Sequence, residues 1–112
     1  MPRGDAERID DVLAAIADIR ADIAGLDFAA FAGNAKTVRS VLYSIGVIGE
    51  AVGKLSPGLL ARHPKIPWRA IAGIRNRVVH EYFRVSPRRI WEAIADDLET
   101  LERVMRAEKA ET

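Results

Sequence analysis

An arginine, a histidine and a tyrosine stand close together in the middle of the chain, at positions 75, 80 and 82. The arginine guanidinium is a permanent cation that binds a phosphodiester through paired hydrogen bonds. The histidine imidazole titrates near neutral pH, so it can take a proton from a ribose 2′-hydroxyl or deliver one to a leaving oxygen. Arg75 and His80 therefore suit phosphodiester chemistry that needs no metal ion, and Tyr82 adds a phenolic hydroxyl.

The spacing of these residues limits how they can act together. On an ideal helix, five residues separate Arg75 from His80 by about 140°, whereas Asn76 lies about one turn from His80. Either the long arginine side chain reaches around the helix, or a second copy of the chain completes the site across a two-fold axis and supplies a second histidine. We favour the dimer. The simpler alternative is that His80 and Tyr82 are ordinary residues at a helix end, and that Arg75 and Arg77 are surface charges on the same helix.

Positive charge is concentrated around this segment. The chain has 112 residues and a net charge of +1, yet positions 62–89 carry eight arginine or lysine residues against Glu81 alone, a local charge of +7. The other residues therefore sum to −6, with acidic residues crowded into the first quarter. This asymmetry favours an anionic partner for the middle of the chain. The alternative is that these charges lie on solvated helix faces and pair with one another.

Composition indicates a single water-soluble domain, 1–112, with 49% hydrophobic and 29% charged residues. Cysteine is absent, which excludes disulfides and thiolate sites and fits a cytoplasmic location. No signal peptide and no membrane-spanning run of about 18 apolar residues is present. His63 and His80 are far apart and lack paired acidic ligands, so neither a metal site nor a cofactor is expected.

The elements that must position these residues are predicted to be helices. Apolar residues recur at steps of three and four in four segments: about 5–24, about 35–55, from Pro67 to just before Ser86-Pro87, and from there to about 106. Asp27 and Asn34 are candidate caps, and Ser56-Pro57 predicts a short helical turn over 57–62. The pattern predicts an all-α antiparallel four-helix bundle with short extra helical turns and a frayed tail after about 106.

Three glycines, Gly46, Gly49 and Gly53, share one side of the second long helix. Each costs up to about 1 kcal/mol of helix propensity relative to alanine, so close helix packing, within the bundle or across a dimer, is the expected compensation. Trp68 and Trp91 are candidates for stacking on bases, but core packing is the favoured interpretation.

Glu50 interrupts the apolar pattern of the same helix. A buried carboxylate needs a partner. We predict a pairing with Arg39, Arg69 or Arg75, through which Glu50 would orient the active arginine.

The sequence around the motif is similar to a known family. The pattern Arg75-Asn76-x-x-x-His80-x-Tyr82 resembles the Arg-x4-His-x-Tyr signature of the HepT toxins in the HEPN superfamily. The likeness extends from about 8 to 105 through flanking segments in the same order: Ile48-Gly49-Glu50-Ala51, Leu55-Ser56-Pro57, Pro67-Trp68-Arg69, Ala72-Gly73-Ile74-Arg75 and Ile90-Trp91.

The resemblance implies a homodimeric helical bundle that cuts RNA without a metal ion. Arg75 and His80 match the catalytic pair of the family, and Asn76 matches its polar neighbour. In that family a partner nucleotidyltransferase of the MntA type, the antitoxin, transfers AMP from ATP onto the motif tyrosine, which here is Tyr82. Relatives often carry aspartate where this chain has Asn76 and Glu81, a difference that bears on substrate preference more than on class.

Further residues complete the expected site. Glu50 is predicted to support it, and three arginines of the basic segment are predicted to bind RNA: Arg69, Arg77 and Arg84. Two other functions remain open. One is a non-catalytic helical partner that binds nucleotide or RNA and presents Tyr82 to a nucleotidyltransferase. The other is a purely structural bundle, which leaves the clustered arginines and the histidine unexplained.

Overall fold

The computed structural model describes residues 4–81 and 86–111, and at 75–81 it describes the backbone alone. Every regular element in this part of the chain is a helix. In chain order they are α1 (Asp5–Ile23), α2 (Phe28–Ala32), α3 (Ala35–Val52), α4 (Pro57–Arg62), α5 (Trp68–Glu81) and α6 (Pro87–Glu111). The prediction of an all-α bundle with short extra turns is confirmed, since α1, α3, α5 and α6 are the long helices and α2 and α4 the short ones.

Local side-chain chemistry sets the helix boundaries. The Asp27 carboxylate accepts a hydrogen bond from the Ala30 backbone N–H at 2.8 Å, and the Asn34 side chain accepts one from Thr37 at 3.1 Å. Both are N-cap interactions that satisfy donors left free in the first turn of a helix. Gly25, with φ of 76°, occupies the left-handed conformation that glycine tolerates after a helix end. The caps predicted from the sequence are therefore confirmed.

Two polar contacts show that α1 and α3 run antiparallel. Near the end of α1, the Asp22 carboxylate accepts a hydrogen bond from the Ser40 hydroxyl at 2.6 Å. At the other end, the Asp5 carboxylate accepts hydrogen bonds from the backbone N–H of Ser56, at 2.9 Å, and from its hydroxyl, at 2.5 Å. The start of α1 is thus tied to the segment that follows α3.

Ion pairs join α1 to α6 in the same antiparallel sense. Arg20 lies 2.6 Å from Glu102, and Lys109 lies 2.7 Å from Asp10. Later positions of α6 therefore meet earlier positions of α1. The core between these helices is apolar, and its buried members in the long helices are Ile9, Val12, Ala15, Ile16, Ile19, Val41, Leu42, Ile48, Ala51, Val52, Ile71, Ile90, Ile94, Leu98, Leu101 and Met105.

The end of the chain differs from the prediction of a frayed tail. Helix α6 continues to Glu111, and Met105 is fully buried. Glu108, at 6% exposure, is also buried, and its partners are Arg62, the last residue of α4, and His63 directly after it. The helix therefore extends beyond position 106, and Arg62 and His63 contact Glu108 in its last turns.

Candidate active site

Hydrogen bonds from Trp68 fix the start of α5, the helix that carries the motif. The Trp68 indole N–H is shared between two carbonyls of the α4 region, Leu60 at 3.1 Å and His63 at 3.0 Å. The backbone N–H of Ile71 bonds to the Pro67 carbonyl at 3.0 Å, which closes the first turn of α5. Trp68 therefore packs and bonds within the fold, as the core-packing interpretation predicted.

Helix α5 returns antiparallel along α3. A Cβ added at Gly53, just after the end of α3, would lie 3.7 Å from the Cβ of Ala72 near the start of α5. Further along, Ile45 and Ile48 of α3 share an apolar cavity with Ile71 and Ile74 of α5. At Gly53 the predicted close helix approach is therefore present, and the neighbour is α5.

The motif itself lies on the second half of α5. The backbone is helical through positions 75–81, so Arg75, Asn76, Arg77 and His80 occupy consecutive turns of one helix. The angular separation of about 140° between Arg75 and His80 therefore applies to the folded chain. The side chains of these four residues lie outside the described part of the structure, as do Tyr82 and Arg84 altogether. Their predicted roles stay predictions.

The chain is anchored again directly after the motif. The Ser86 hydroxyl accepts a hydrogen bond from the Arg88 backbone N–H at 3.2 Å and opens α6. The Trp91 ring packs against Phe31, with centroids 5.1 Å apart, and against Phe28 at 6.2 Å. The Arg88 guanidinium lies 4.2 Å above the Phe28 ring. Trp91 is thus a packing residue as predicted. In the sequence, the motif lies between Trp68 and Trp91, which both pack within the fold.

The described arginines of the basic segment differ in their contacts. Arg69, Arg88 and Arg89 are exposed. Arg62 is different, because its guanidinium donates to both carboxylate oxygens of Glu108, at 3.1 and 2.6 Å. Part of the local positive charge therefore balances a buried carboxylate, as the alternative of internal pairing anticipated, while Arg69 is accessible to an anionic partner.

Glu108 is the strongest electrostatic feature among the described residues, and the sequence analysis missed it. Besides Arg62, it contacts the Nε2 of His63 at 2.6 Å. Hydrogen bonds from Arg62 and then from His63 lower the pKa of Glu108 from 4.5 to about 2, against the opposing effect of burial. The signal was present in the sequence, since Leu101, Met105 and position 108 continue the spacing of the buried face of α6.

The sequence predicted that Glu50 is a buried carboxylate, and the structure places it at an exposed position. Its side chain is 46% exposed, and its carboxylate lies 3.5 Å from the ammonium of Lys54, one turn further along α3. Glu50 is therefore not a buried carboxylate. Its pairing with Arg39, Arg69 or Arg75 stays a prediction.

Within the described residues, no group of histidine, aspartate and glutamate side chains is arranged to hold a metal ion. In the same part of the chain, no helix is long and apolar enough to cross a membrane.

Comparison with known proteins identifies the family. The model of the family described as "Ribonuclease HepT-like" matches residues 12–108, which include all of α5 and the motif. The chain belongs to the HepT-like ribonuclease family. The family predicted from the motif and its flanks is thereby confirmed, and HepT-like proteins are assigned as ribonucleases.

Several curated proteins are similar to this HepT-like chain along most of its length. A protein of Caldanaerobacter subterraneus named "Putative RNase" is 38% identical over 81 residues, which are 72% of each chain. The "Probable ribonuclease HepT" of Thermococcus cleftensis is 31% identical over 90% of this chain and 92% of its own. A "Putative RNase" of Methanocaldococcus jannaschii is 29% identical over 95% of this chain and 92% of its own. No solved structure was found to match.

Proposed function

We propose that this HepT-like chain is a metal-independent endoribonuclease and the toxin of a bacterial toxin-antitoxin pair, acting in the cytoplasm. The observation that carries the proposal is the family match over 12–108, together with an intact Arg75 to His80 spacing on the helical backbone of α5. The exposed Arg69 near the start of the same helix adds a site for phosphate contact.

The proposed chemistry uses Arg75 and His80. Arg75 binds the scissile phosphodiester, and Asn76 supports it as a neutral hydrogen-bonding neighbour. His80 takes the proton of the ribose 2′-hydroxyl as that oxygen attacks the adjacent phosphorus. The bond from phosphorus to the 5′-oxygen of the next nucleotide breaks, and a protonated imidazole returns a proton to that oxygen. The products are a 2′,3′-cyclic phosphate and a free 5′-hydroxyl.

Helix geometry supports a homodimeric site. Since positions 75 and 80 lie about 140° apart around the axis of one helix, one chain presents Arg75 and His80 poorly to a single phosphate. A second copy related by two-fold symmetry supplies a second histidine, so that one imidazole can act as base and the other as acid. Arg77 and Arg84 are proposed to extend the RNA contacts with Arg69.

The proposed mechanism uses no metal ion. Purified protein is expected to cleave single-stranded RNA at an unchanged rate in excess EDTA, because the proposed proton transfers and phosphate contacts come from side chains alone. The measurement is gel analysis of a labelled RNA with and without chelator. Cleavage that stops in EDTA and returns with added Mg²⁺ or Mn²⁺ would contradict the metal-independent mechanism.

We also propose that a partner nucleotidyltransferase of the MntA type silences the chain through Tyr82. The phenolic oxygen attacks the α-phosphorus of ATP, pyrophosphate leaves, and the phenol proton is released. Each transferred AMP adds a negative phosphodiester and a bulky base next to the arginines that would hold RNA. The site is then both occupied and neutralised.

Mass spectrometry tests the modification. The chain has two tyrosines, Tyr43 and Tyr82, so each serves as the control for the other. After co-expression with the candidate nucleotidyltransferase, the intact mass is expected to rise by AMP-sized increments in the parent and in Tyr43→Phe, but not in Tyr82→Phe. Increments that persist in Tyr82→Phe would show that the acceptor lies elsewhere.

A further inference from the structure

The start of α6 presents two arginines beside an aromatic ring of α2. The Arg88 guanidinium lies over the Phe28 ring, 4.2 Å from its centre. The Trp91 ring meets Phe28 in an edge-to-face arrangement at 6.2 Å and packs against the fully buried Phe31 at 5.1 Å. Arg88 therefore rests on a half-buried ring that the core holds in place. The surface formed by Phe28, Arg88 and Arg89 is called here the α2–α6 patch.

The donors of this patch are available to a ligand. A guanidinium is planar and its N–H groups point outward in that plane, so contact with a ring on one side leaves the edge and the other side open. Arg88 and Arg89 are both exposed. Among the residues whose side chains the structure describes, no carboxylate forms an ion pair with either of them, although Glu92 is exposed one turn along α6. Arg62 differs, because its guanidinium is bonded to Glu108.

The antiparallel order of the helices places the α2–α6 patch at the same end of the bundle as the motif. Helix α2 connects the end of α1 to the start of α3 and packs against the start of α6. Since α5 begins beside Gly53 and returns along α3, its last turns lie toward the start of α3. Arg69, in contrast, lies eleven residues before His80 on α5, which is about 16 Å along the helix axis.

We propose that the α2–α6 patch binds the nucleotides of the RNA substrate that flank the cleaved phosphodiester, an inference that rests on the proposed function. The edge of the Arg88 guanidinium donates to a backbone phosphate, and its side away from Phe28 stacks on a nucleobase. Arg89 contacts a second phosphate. Positive charge combined with planes on which bases stack is how proteins hold single-stranded RNA without reading its sequence.

Charge and composition favour RNA over a protein as the occupant. Positions 86–91 carry two arginines and no acidic residue. The nearby Asp27 carboxylate is engaged as the N-cap of α2, where it accepts a backbone N–H at 2.8 Å. A protein interface needs an apolar centre, and the patch lacks one, because Ile90 and Phe31 are buried and Arg88 covers the ring of Phe28. Phosphates and bases match what the patch offers.

Binding of a labelled single-stranded RNA over a series of salt concentrations tests the proposal. The probe carries 2′-O-methyl groups, so it has no 2′-hydroxyl to attack the phosphorus and stays intact. Arg88→Ala is expected to weaken binding by at least about fivefold, the lower value for the loss of one stacked base. Arg88→Ala and Arg89→Ala should each reduce the slope of log K against log salt by about 0.7, the value for one phosphate contact on a single strand.

Two further variants separate the ring contact from charge alone. Arg88→Lys keeps the positive charge but not the guanidinium plane, so it should keep the parental salt slope and still lose affinity. Arg103→Ala is the matched control, because Arg103 is an exposed arginine later in α6 that pairs with Glu99. It should bind the probe as the parent does. Fluorescence anisotropy measures the affinities, and circular dichroism confirms that each variant is folded.

Substrate length gives a second measurement. Arg88→Ala should raise KM for a long oligoribonucleotide with little change in kcat, because the patch holds flanking nucleotides and takes no part in the proton transfers. Cleavage of a dinucleotide, which is too short to reach the patch, should be the same in Arg88→Ala and in the parent. A loss of kcat on both substrates would show that Arg88 supports the fold or the motif instead, and would overturn the proposal.

Other outcomes decide between the proposal and its alternatives. Parental affinity and salt slope in folded Arg88→Ala and Arg89→Ala would overturn it, as would an equal loss of binding in Arg103→Ala. If the patch variants bind RNA normally but no longer bind the partner nucleotidyltransferase, the patch belongs to a protein interface and the proposal is wrong. RNA binding that follows these expectations in a chain that cleaves no RNA would contradict the proposed function alone.

Discussion

Replacing His80 by alanine is expected to lower RNA cleavage by at least about 100-fold, because a positioned general acid or base contributes about 10²–10⁴ to the rate. The same substitution should abolish growth arrest when the chain is expressed without an antitoxin. Cleavage of a labelled RNA by purified protein and colony growth after induction are the two measurements. The fold should be unaffected, since the helical backbone of α5 tolerates alanine well.

The chain supplies its own control for this result. It contains two histidines, and the second, His63, is bonded to Glu108 at 2.6 Å, between α4 and α6. His63→Gln removes an imidazole without touching the motif, so the folded variant should cleave at the parental rate even if its stability falls. Equal activity in His80→Ala and the parent would refute the catalytic assignment. Loss of activity in both histidine variants, with both still folded, would refute the division of roles between them.

Glu108 is expected to have the largest effect on stability among the described charged residues. Its folded pKa of about 2, against 4.5 for the unfolded group, sets an upper limit of about 3.4 kcal/mol on what the charge of Glu108 contributes to folding at neutral pH. Because the Arg62 side chain is exposed and solvent screens its charge, Glu108→Gln should lower the free energy of unfolding at pH 7 by about 1–3 kcal/mol. Urea denaturation followed by circular dichroism measures it. Glu99→Gln, at an exposed position of the same helix, should change stability by no more than about 0.5 kcal/mol.

The lowered pKa of Glu108 predicts that the stability of the protein depends on pH. Because the folded pKa lies below the unfolded one, the contribution of Glu108 is fully present above pH 4.5 and is lost as the pH falls from there toward about 2. The parent should therefore lose more stability than Glu108→Gln between pH 6 and pH 3. Parallel curves for the two proteins over this range would show that the Arg62 and His63 contacts do not hold the charge of Glu108 in solution.

Helix existence, the caps at Asp27 and Asn34, and the family could be derived from the sequence, because their signals are local. Asp27 and Asn34 cap helices through hydrogen bonds to residues three positions away, so the neighbouring sequence contains all the information. The motif from Arg75 to Tyr82 is likewise a continuous stretch, and the family comparison confirmed the class that it predicted.

Sequence periodicity was less informative about which side of a helix meets a neighbour. Glu50 was expected to be a buried carboxylate in an apolar helix, yet its side chain is 46% exposed. Gly46 and Gly53 have the same spacing signal, but a Cβ at Gly53 would approach Ala72 of α5, whereas one at Gly46 would meet nothing within 4 Å. The difference arises because the covered sector of α3 depends on where α5 returns, and residues far along the chain decide that path.

The sequence by itself determined the helices, their caps and the Arg75 to Tyr82 motif, since each depends on residues within a few positions of one another. Only the tertiary structure decided that Glu108 is buried and charged, because its partners Arg62 and His63 lie more than forty residues earlier and meet it through the packing of α4 against α6. It also decided that a Cβ at Gly46 would meet nothing within 4 Å, whereas one at Gly53 would lie 3.7 Å from the Cβ of Ala72 in α5, because the path of α5 sets which glycines of α3 it approaches.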